Sequence, residues 1–151
     1  MQEFTGLKAL YLESNAISEI TGLCHMQQLR SLFLAHNMIT TLEGIQQLPW
    51  LQTLDASHNS ITQLQPVRSM TALKLLNLSY NKIADAEQLQ HLGCCTALDT
   101  LDLTSNRLSD QAAFDAALAI PVYLLRLEGN PLVSAVRCAC LADAWCCLQS
   151  G

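Results

Sequence analysis

One spacing of leucine and asparagine, LxxLxLxxN followed after one residue by Ile or Leu, recurs along nearly the whole chain. Successive asparagines are separated by 22, 22, 22, 25 and 24 residues. A period of this length is typical of repeat proteins in which each unit stacks only on its neighbours. The six asparagines of the pattern are Asn15, Asn37, Asn59, Asn81, Asn106 and Asn130.

The alternating apolar residues of each repeat, LxL in five repeats and LxA in the third, predict a short strand whose apolar side chains face the core. Because a strand of this kind pairs only with the equivalent strand of the next repeat, the pattern predicts six parallel strands. The expected fold is an α/β solenoid, a horseshoe with these strands on its concave face. Residues 1–132 form the predicted repeat domain.

The asparagines follow the predicted strands, where the chain must turn. An asparagine amide both donates and accepts hydrogen bonds, so stacked asparagines can satisfy backbone groups at a repeated bend. The alternative interpretation is that they contact a ligand. We favour the structural ladder.

The return segments on the convex side carry apolar residues at steps of three, as in Ile17, Ile20 and Leu23. Such steps predict short 3₁₀ turns rather than long α-helices. Residues 109–120 instead predict an α-helix, with Ser109 as its N-cap and with Phe114 and Leu118 on one face, ending at Pro121.

Residues 133–151 predict an atypical C-terminal capping segment with a helical apolar pattern. Four of the seven cysteines lie in it, in CxC and CC spacings that do not suit structural zinc, so no metal site is expected. The odd count and the adjacent pairs favour reduced thiols. The role of these cysteines, and whether the chain is a fragment, stay open. The four are Cys138, Cys140, Cys146 and Cys147.

The composition bears on partners and compartment. A net charge of -5 with 14% charged residues gives no basic footprint for nucleic acid or an anionic membrane. The sequence shows neither a signal peptide nor an apolar stretch of the ~18 residues that span a bilayer. A cytoplasmic protein is therefore expected.

The outward positions of the strands are the candidate partner-binding residues, because solenoids usually bind on the concave face. Tyr11 and Phe33 are neighbouring exposed aromatics and candidate anchors. The alternative is that they pack on each other and on a further N-terminal segment. The central outward residues are Tyr11, Phe33, Asp55, Asn77, Asp102 and Arg126. The outward residues two before each asparagine are Glu13, Ala35, Ser57, Ser79, Thr104 and Glu128.

Asp55, Ser57 and His58 are residue types of a hydrolytic triad, but they come from one strand and imply no pocket or oxyanion donors. No phosphate loop, dinucleotide fingerprint or zinc-protease motif is present. We therefore expect no catalytic residues, no cofactor and no enzyme activity.

The repeats resemble the 22-residue class of intracellular leucine-rich-repeat proteins. Within that class, EFTGLKALYLESNAISEITGL (3–23) and LRSLFLAHNMITTLEGI (29–45) resemble the dynein axonemal assembly factor family. The insertion in HLGCCTALDTLDLTSNRLSD (91–110) and the stretch 108–132 extend the resemblance. It implies a monomeric scaffold for pre-assembly of axonemal dynein arms, in the cytoplasm or cilium, with dynein chains and chaperones as partners.

Other members of the same class leave an alternative open. They include a regulator of protein phosphatase 1 and components of spliceosomal and centrosomal complexes. A regulatory subunit of a phosphatase 1-type or other intracellular complex is therefore the second functional hypothesis.

Overall fold

The structure, a computed structural model, describes residues 5–131. Six strands of three residues each form one parallel sheet in sequence order, so the predicted strand architecture is confirmed. The predicted boundary between residues 132 and 133, and the capping segment after it, lie outside the described residues. The strands are β1 (Ala9–Tyr11), β2 (Ser31–Phe33), β3 (Thr53–Asp55), β4 (Leu75–Asn77), β5 (Thr100–Asp102) and β6 (Leu124–Arg126).

The return segments confirm the predicted short helical turns. Their backbone N–H groups donate to carbonyls three residues earlier, as in Met26 to Leu23 at 2.9 Å and Leu48 to Ile45 at 2.9 Å. Such bonds give a turn of about three residues, which keeps one apolar side chain per turn on the inner side. The 3₁₀ helices are Ile45–Gln47, Gln65–Ser69 and His91–Cys94, and the α-helices are α1 (Ala86–Gln90) and α2 (Gln111–Leu118).

The core lies between the sheet and the returns. The central leucine of each inner strand, such as Leu54 and Leu76, is fully buried, and so are return residues such as Ile45. Full burial of a leucine is worth ~1.5–3 kcal/mol relative to exposure, so these residues dominate the stability of the stack. Neighbouring returns also approach closely. Gly44 has a φ of +105°, and a Cβ there would overlap the carbonyl oxygen of Ile20.

Helix α2 differs from its predicted form at both ends and in its buried face. Asp110, not Ser109, is the N-cap, because its carboxylate reaches the backbone N–H of Ala113 at 2.7 Å. The helix ends at Leu118, before the proline. Ala113 and Ala117 form the buried face of α2, which packs on α1, and Leu118 is exposed.

None of the helices within residues 5–131 is long and apolar enough to cross a membrane.

Candidate protein-interaction surface

The sheet register brings the central outward residues of the six strands side by side. Leu10 pairs with Leu32 and Tyr11 with Phe33, and the same register continues through every strand. Neighbouring strands lie about 4.8 Å apart, so adjacent side chains of this row are within contact distance. We call the row Tyr11, Phe33, Asp55, Asn77, Asp102 and Arg126 the central row.

The N-terminal end of the central row is an aromatic stack. The ring centroids of Tyr11 and Phe33 are 4.6 Å apart, and the rings are within 4° of parallel. Tyr11 is 66% exposed, whereas Phe33 is half-buried between its neighbours. The stack therefore presents aromatic surface to solvent, while each ring restrains the other.

The polar centre of the row is held by bonds to its own backbone. A side-chain oxygen of Asp55 accepts the N–H of Ser57 at 3.0 Å, and Asp102 accepts that of Thr104 at 2.9 Å. Asn77 accepts the N–H of Ser79 at 3.1 Å in the same way. These local turns orient the side chains across the sheet, and of the three residues Asp102 also contacts a neighbouring strand, through Arg126.

The row two residues before the asparagines is less accessible than expected. Glu13 at its N-terminal end is half-buried, but Ser57 and Ser79 are only 6% and 7% exposed. Their exposure was predicted from strand alternation alone. The prediction was wrong for these two residues because a serine side chain is short and stays close to the backbone, and the Ser79 hydroxyl donates to Asn77 at 2.8 Å.

Two outward leucines were missed by the sequence analysis. Leu75 is 38% exposed and Leu124 is 43% exposed, each at the first position of its strand. In the other strands this position holds Ala, Ser or Thr. A leucine at a position otherwise occupied by small or hydroxyl residues is the feature that could have identified them.

A second aromatic stack borders the sheet. The rings of His36 and His58 lie 4.1 Å apart, and those of His58 and Tyr80 lie 4.2 Å apart. All three residues have φ between 53° and 56°, the left-handed region, at the position directly before a ladder asparagine. The N–H of His58 donates to Ser79 O at 2.9 Å, so pairing between repeats continues past the strand and holds this conformation.

Trp50 lies at the opposite edge of the sheet. Its side chain is 56% exposed, and the guanidinium carbon of Arg30 is 5.4 Å from the ring centroid. Trp50 therefore lies outside the buried core, and a neighbouring arginine covers its ring.

The six asparagines form a ladder beneath this surface. Asn81 is typical: its amide nitrogen donates to Ala56 O at 2.9 Å, Leu78 O at 3.1 Å and Ser79 O at 3.2 Å. Its amide oxygen accepts the N–H of Ile61 in the preceding repeat at 2.9 Å. Each rung after Asn15 thus joins two repeats, whereas the exposed Asn15 bonds only to carbonyls of its own repeat.

The residues considered as a triad are engaged elsewhere. The carboxylate of Asp55 accepts the backbone N–H of Ser57, Ser57 is buried, and the ring of His58 lies between two other rings. Within residues 5–131, no cluster of three or more His, Cys, Asp or Glu side chains is arranged to hold a metal ion. The four C-terminal cysteines lie outside the described residues.

Comparison with known proteins agrees with this architecture. The family model for leucine-rich repeats in two copies matches residues 27–69 and again 49–91. Internalin C2 from Listeria monocytogenes superposes with a TM-score of 0.73 at 26% identity, covering 84% of this chain and 54% of that one. The chain is a leucine-rich-repeat solenoid. A leucine-rich-repeat protein from Leptospira interrogans is similar to this solenoid with a TM-score of 0.70 and 31% identity, over 86% of this chain and 33% of that one.

A protein of similar sequence matches part of the chain. Over 52 residues the solenoid is 42% identical to leucine-rich repeat-containing protein ODA7 of Chlamydomonas reinhardtii. That stretch is 34% of this chain and 12% of the relative, so the matched solenoid corresponds to a small part of a longer protein.

Proposed function

We propose that this leucine-rich-repeat solenoid is a protein-interaction scaffold in the cytoplasmic pre-assembly of axonemal dynein arms. Two findings support the proposal: the resemblance of residues 3–132 to the axonemal assembly factors, and the stretch shared with ODA7. By that resemblance its partners are axonemal dynein chains and chaperones, with no role for nucleic acid or membrane. The solenoid acts as a monomer in the cytoplasm or the cilium.

The observation that carries the interaction role is the Tyr11–Phe33 stack at the N-terminal end of the central row. Large aromatic side chains that are already ordered lose little entropy on binding, and they contribute most where a partner covers them. The stack restrains both rings before a partner arrives, while Tyr11 stays 66% exposed. The remainder of the central row supplies orientation through charge and amide groups.

The test uses the full chain as bait in extracts of ciliating cells, with mass spectrometry of the proteins that co-purify. The bait should recover axonemal dynein chains with chaperones. Replacing Tyr11→Ala and Phe33→Ala together should reduce that recovery by about 30-fold or more, as expected for loss of an aromatic hot spot. The same double change should lower the free energy of unfolding by about 1–3 kcal/mol, because the energy of the aromatic pair adds to the apolar area that the half-buried Phe33 loses.

A matched control removes two other exposed apolar side chains of the solenoid. Met38 is 62% exposed and Leu118 is 58% exposed, and neither belongs to the central row. The Met38→Ala, Leu118→Ala variant should keep full recovery of partners. Equal loss with both double variants would show that the aromatic stack has no special role.

The same experiment decides between the two functional hypotheses. Recovery of a phosphatase 1-type catalytic subunit, or of spliceosomal or centrosomal proteins, in place of dynein chains would replace the dynein-arm proposal with the alternative derived from the wider class.

A further inference from the structure

Strands β3 and β5 have the same sequence. Both read Thr-Leu-Asp, both have the same pattern of burial, and they pair on either side of β4. In both, one oxygen of the aspartate accepts the N–H two residues on, at 3.0 Å in Asp55 and 2.9 Å in Asp102. Each carboxylate therefore has its second oxygen available in the same orientation.

The two strands differ in the groups that lie next to the second oxygen of the aspartate. Asp102 lies opposite Arg126 in the register, and its Oδ2 is 3.4 Å from the guanidinium. Asp55 lies between Phe33 and Asn77, which carry no charge. Across residues 5–131 the Asp102–Arg126 contact is the one salt bridge within 4 Å. The carboxylate of Asp55 is thus without a cation in this part of the chain.

An aromatic and an aliphatic side chain lie beside the free carboxylate. A depression of about 320 Å³ on the outer face of the sheet is lined by Phe33, Asp55 and Leu75, and it reaches Asp102 and Arg126. Tyr11 covers one face of the Phe33 ring, so the opposite face is turned toward β3, where Asp55 lies. Leu75 supplies an exposed aliphatic wall on the other side of β3.

This arrangement suits one side chain in particular. An arginine has an apolar stem that can lie on Leu75, a planar guanidinium that can stack on the open face of Phe33, and N–H donors for the Oδ2 of Asp55. A lysine can supply the charge but cannot stack as a plane. We propose that the depression between Phe33, Asp55 and Leu75 is a binding site for an arginine side chain on an extended segment of the protein partner.

The inference rests on the outer face of the sheet being the binding face, as in the proposed function, but it can be tested without any cellular partner. The probe is the acetylated heptapeptide GSGRGSG, titrated into the full ¹⁵N-labelled chain and followed by the amide resonances. The amides of Phe33, Asp55 and Leu75 should shift saturably. The same peptide with citrulline in place of arginine, which has the same shape without the charge, should bind about tenfold more weakly.

Variants at Asp55 and at Arg126 make the test more specific. Asp55→Asn keeps the shape and the bond to Ser57 but removes the charge, so arginine-peptide binding should fall about tenfold. Arg126→Ala removes the cation that neutralises Asp102, so a second free carboxylate borders the depression and binding should rise about threefold. These opposite outcomes separate a local effect from a general loss of folding.

Three results would overturn the inference: equal binding of the arginine and citrulline peptides, no loss with Asp55→Asn, or a lysine peptide that binds as tightly as the arginine peptide. Peptide binding together with failure to recover dynein chains would uphold the arginine site and reject the dynein-arm role. Recovery of dynein chains by both the native and the Asp55→Asn bait, without peptide binding, would do the reverse.

Discussion

The asparagine ladder and the central row lie four residues apart in every repeat, one inside the turn and one on the surface. The inner row is asparagine in all six repeats. The outer row changes over the same six repeats, from aromatic residues at the N-terminal end to acidic, amide and basic residues. Since both rows share one period and one backbone, the difference between them reflects what each side chain has to contact.

Every inner asparagine after the first faces the same demand. Its amide oxygen must accept a backbone N–H of the preceding turn, and its amide nitrogen must donate to backbone carbonyls. Because these backbone groups lie inside the turns, only an amide of this length can do both. The outer row has no such common requirement, because its side chains meet solvent or a partner. Uniform rows are therefore expected to control stability, and varied rows to control recognition.

The largest effect is expected at the middle of the ladder. Asn81→Ala leaves the N–H of Ile61 without its acceptor, whereas the carbonyls of Ala56, Leu78 and Ser79 each keep another donor. One buried unsatisfied group and the loss of packing around the amide should lower the free energy of unfolding by about 2–4 kcal/mol. Urea denaturation of the two chains measures this difference.

Asn15 provides the matched control within the ladder. It is exposed and bonds only to the carbonyls of Leu12 and Glu13, at 3.0 and 2.9 Å. Asn15→Ala should cost less than about 1 kcal/mol, because water can satisfy those carbonyls. Equal losses at Asn15 and Asn81 would show that the ladder's connections between repeats do not carry its stability.

The second effect is a difference in reactivity between a buried and an exposed cysteine. Burial, and to a lesser degree the neighbouring Cys94, raises the pKa of Cys95 from 9.0 to about 11. Its thiol is 2% exposed and donates to the carbonyl of Val67 at 3.3 Å, while Cys24 is exposed. At pH 8 the thiolate of Cys95 is then about 100-fold scarcer than that of an ordinary cysteine, and iodoacetamide should alkylate Cys24 first by at least that factor.

Peptide mass spectrometry after timed alkylation measures both rates in one sample, and addition of urea should abolish the difference. The raised pKa also has a consequence for stability. Because the folded state holds the neutral thiol, its contribution is complete below pH 9 and is lost as the pH rises toward 11. Comparable alkylation of Cys95 and Cys24 in the native protein would contradict the buried position of Cys95.

The inner row and the strands were predictable from sequence because their physical requirements repeat. Alternating leucines must face a core, and the regularly recurring asparagine positions leave few ways to stack the turns. The 3₁₀ returns followed for the same reason, since an apolar residue at every third position allows only a tight turn to keep all of them inside.

The errors fall where local contacts override the pattern. The N-cap of α2 is Asp110 rather than the predicted Ser109, because the Asp110 carboxylate accepts the N–H of Ala113. The spacing of apolar residues does not reveal such a contact. The stacked rings of His36, His58 and Tyr80 were not foreseen either. The left-handed residue before each asparagine can be Ser, His, Tyr or Gly, so the position has no recognisable residue type. The repeat alignment placed Arg126 beside Asp102, but the ion pair between them depends on side-chain conformation, which the pattern does not reveal.

The smallest effect is expected in the outer row itself. The Arg126–Asp102 pair is separated by 3.4 Å, and its side chains are 55% and 16% exposed, respectively. Pairs that solvent reaches contribute at most about 1 kcal/mol and are screened by salt, so Arg126→Ala should change the free energy of unfolding by less than about 1 kcal/mol. The difference in unfolding free energy between the two chains should decrease as salt is raised from about 50 mM to about 500 mM, a range that spans physiological ionic strength. A loss comparable to that of Asn81→Ala would remove the distinction between a row that holds the repeats together and a row that is free to recognise a partner.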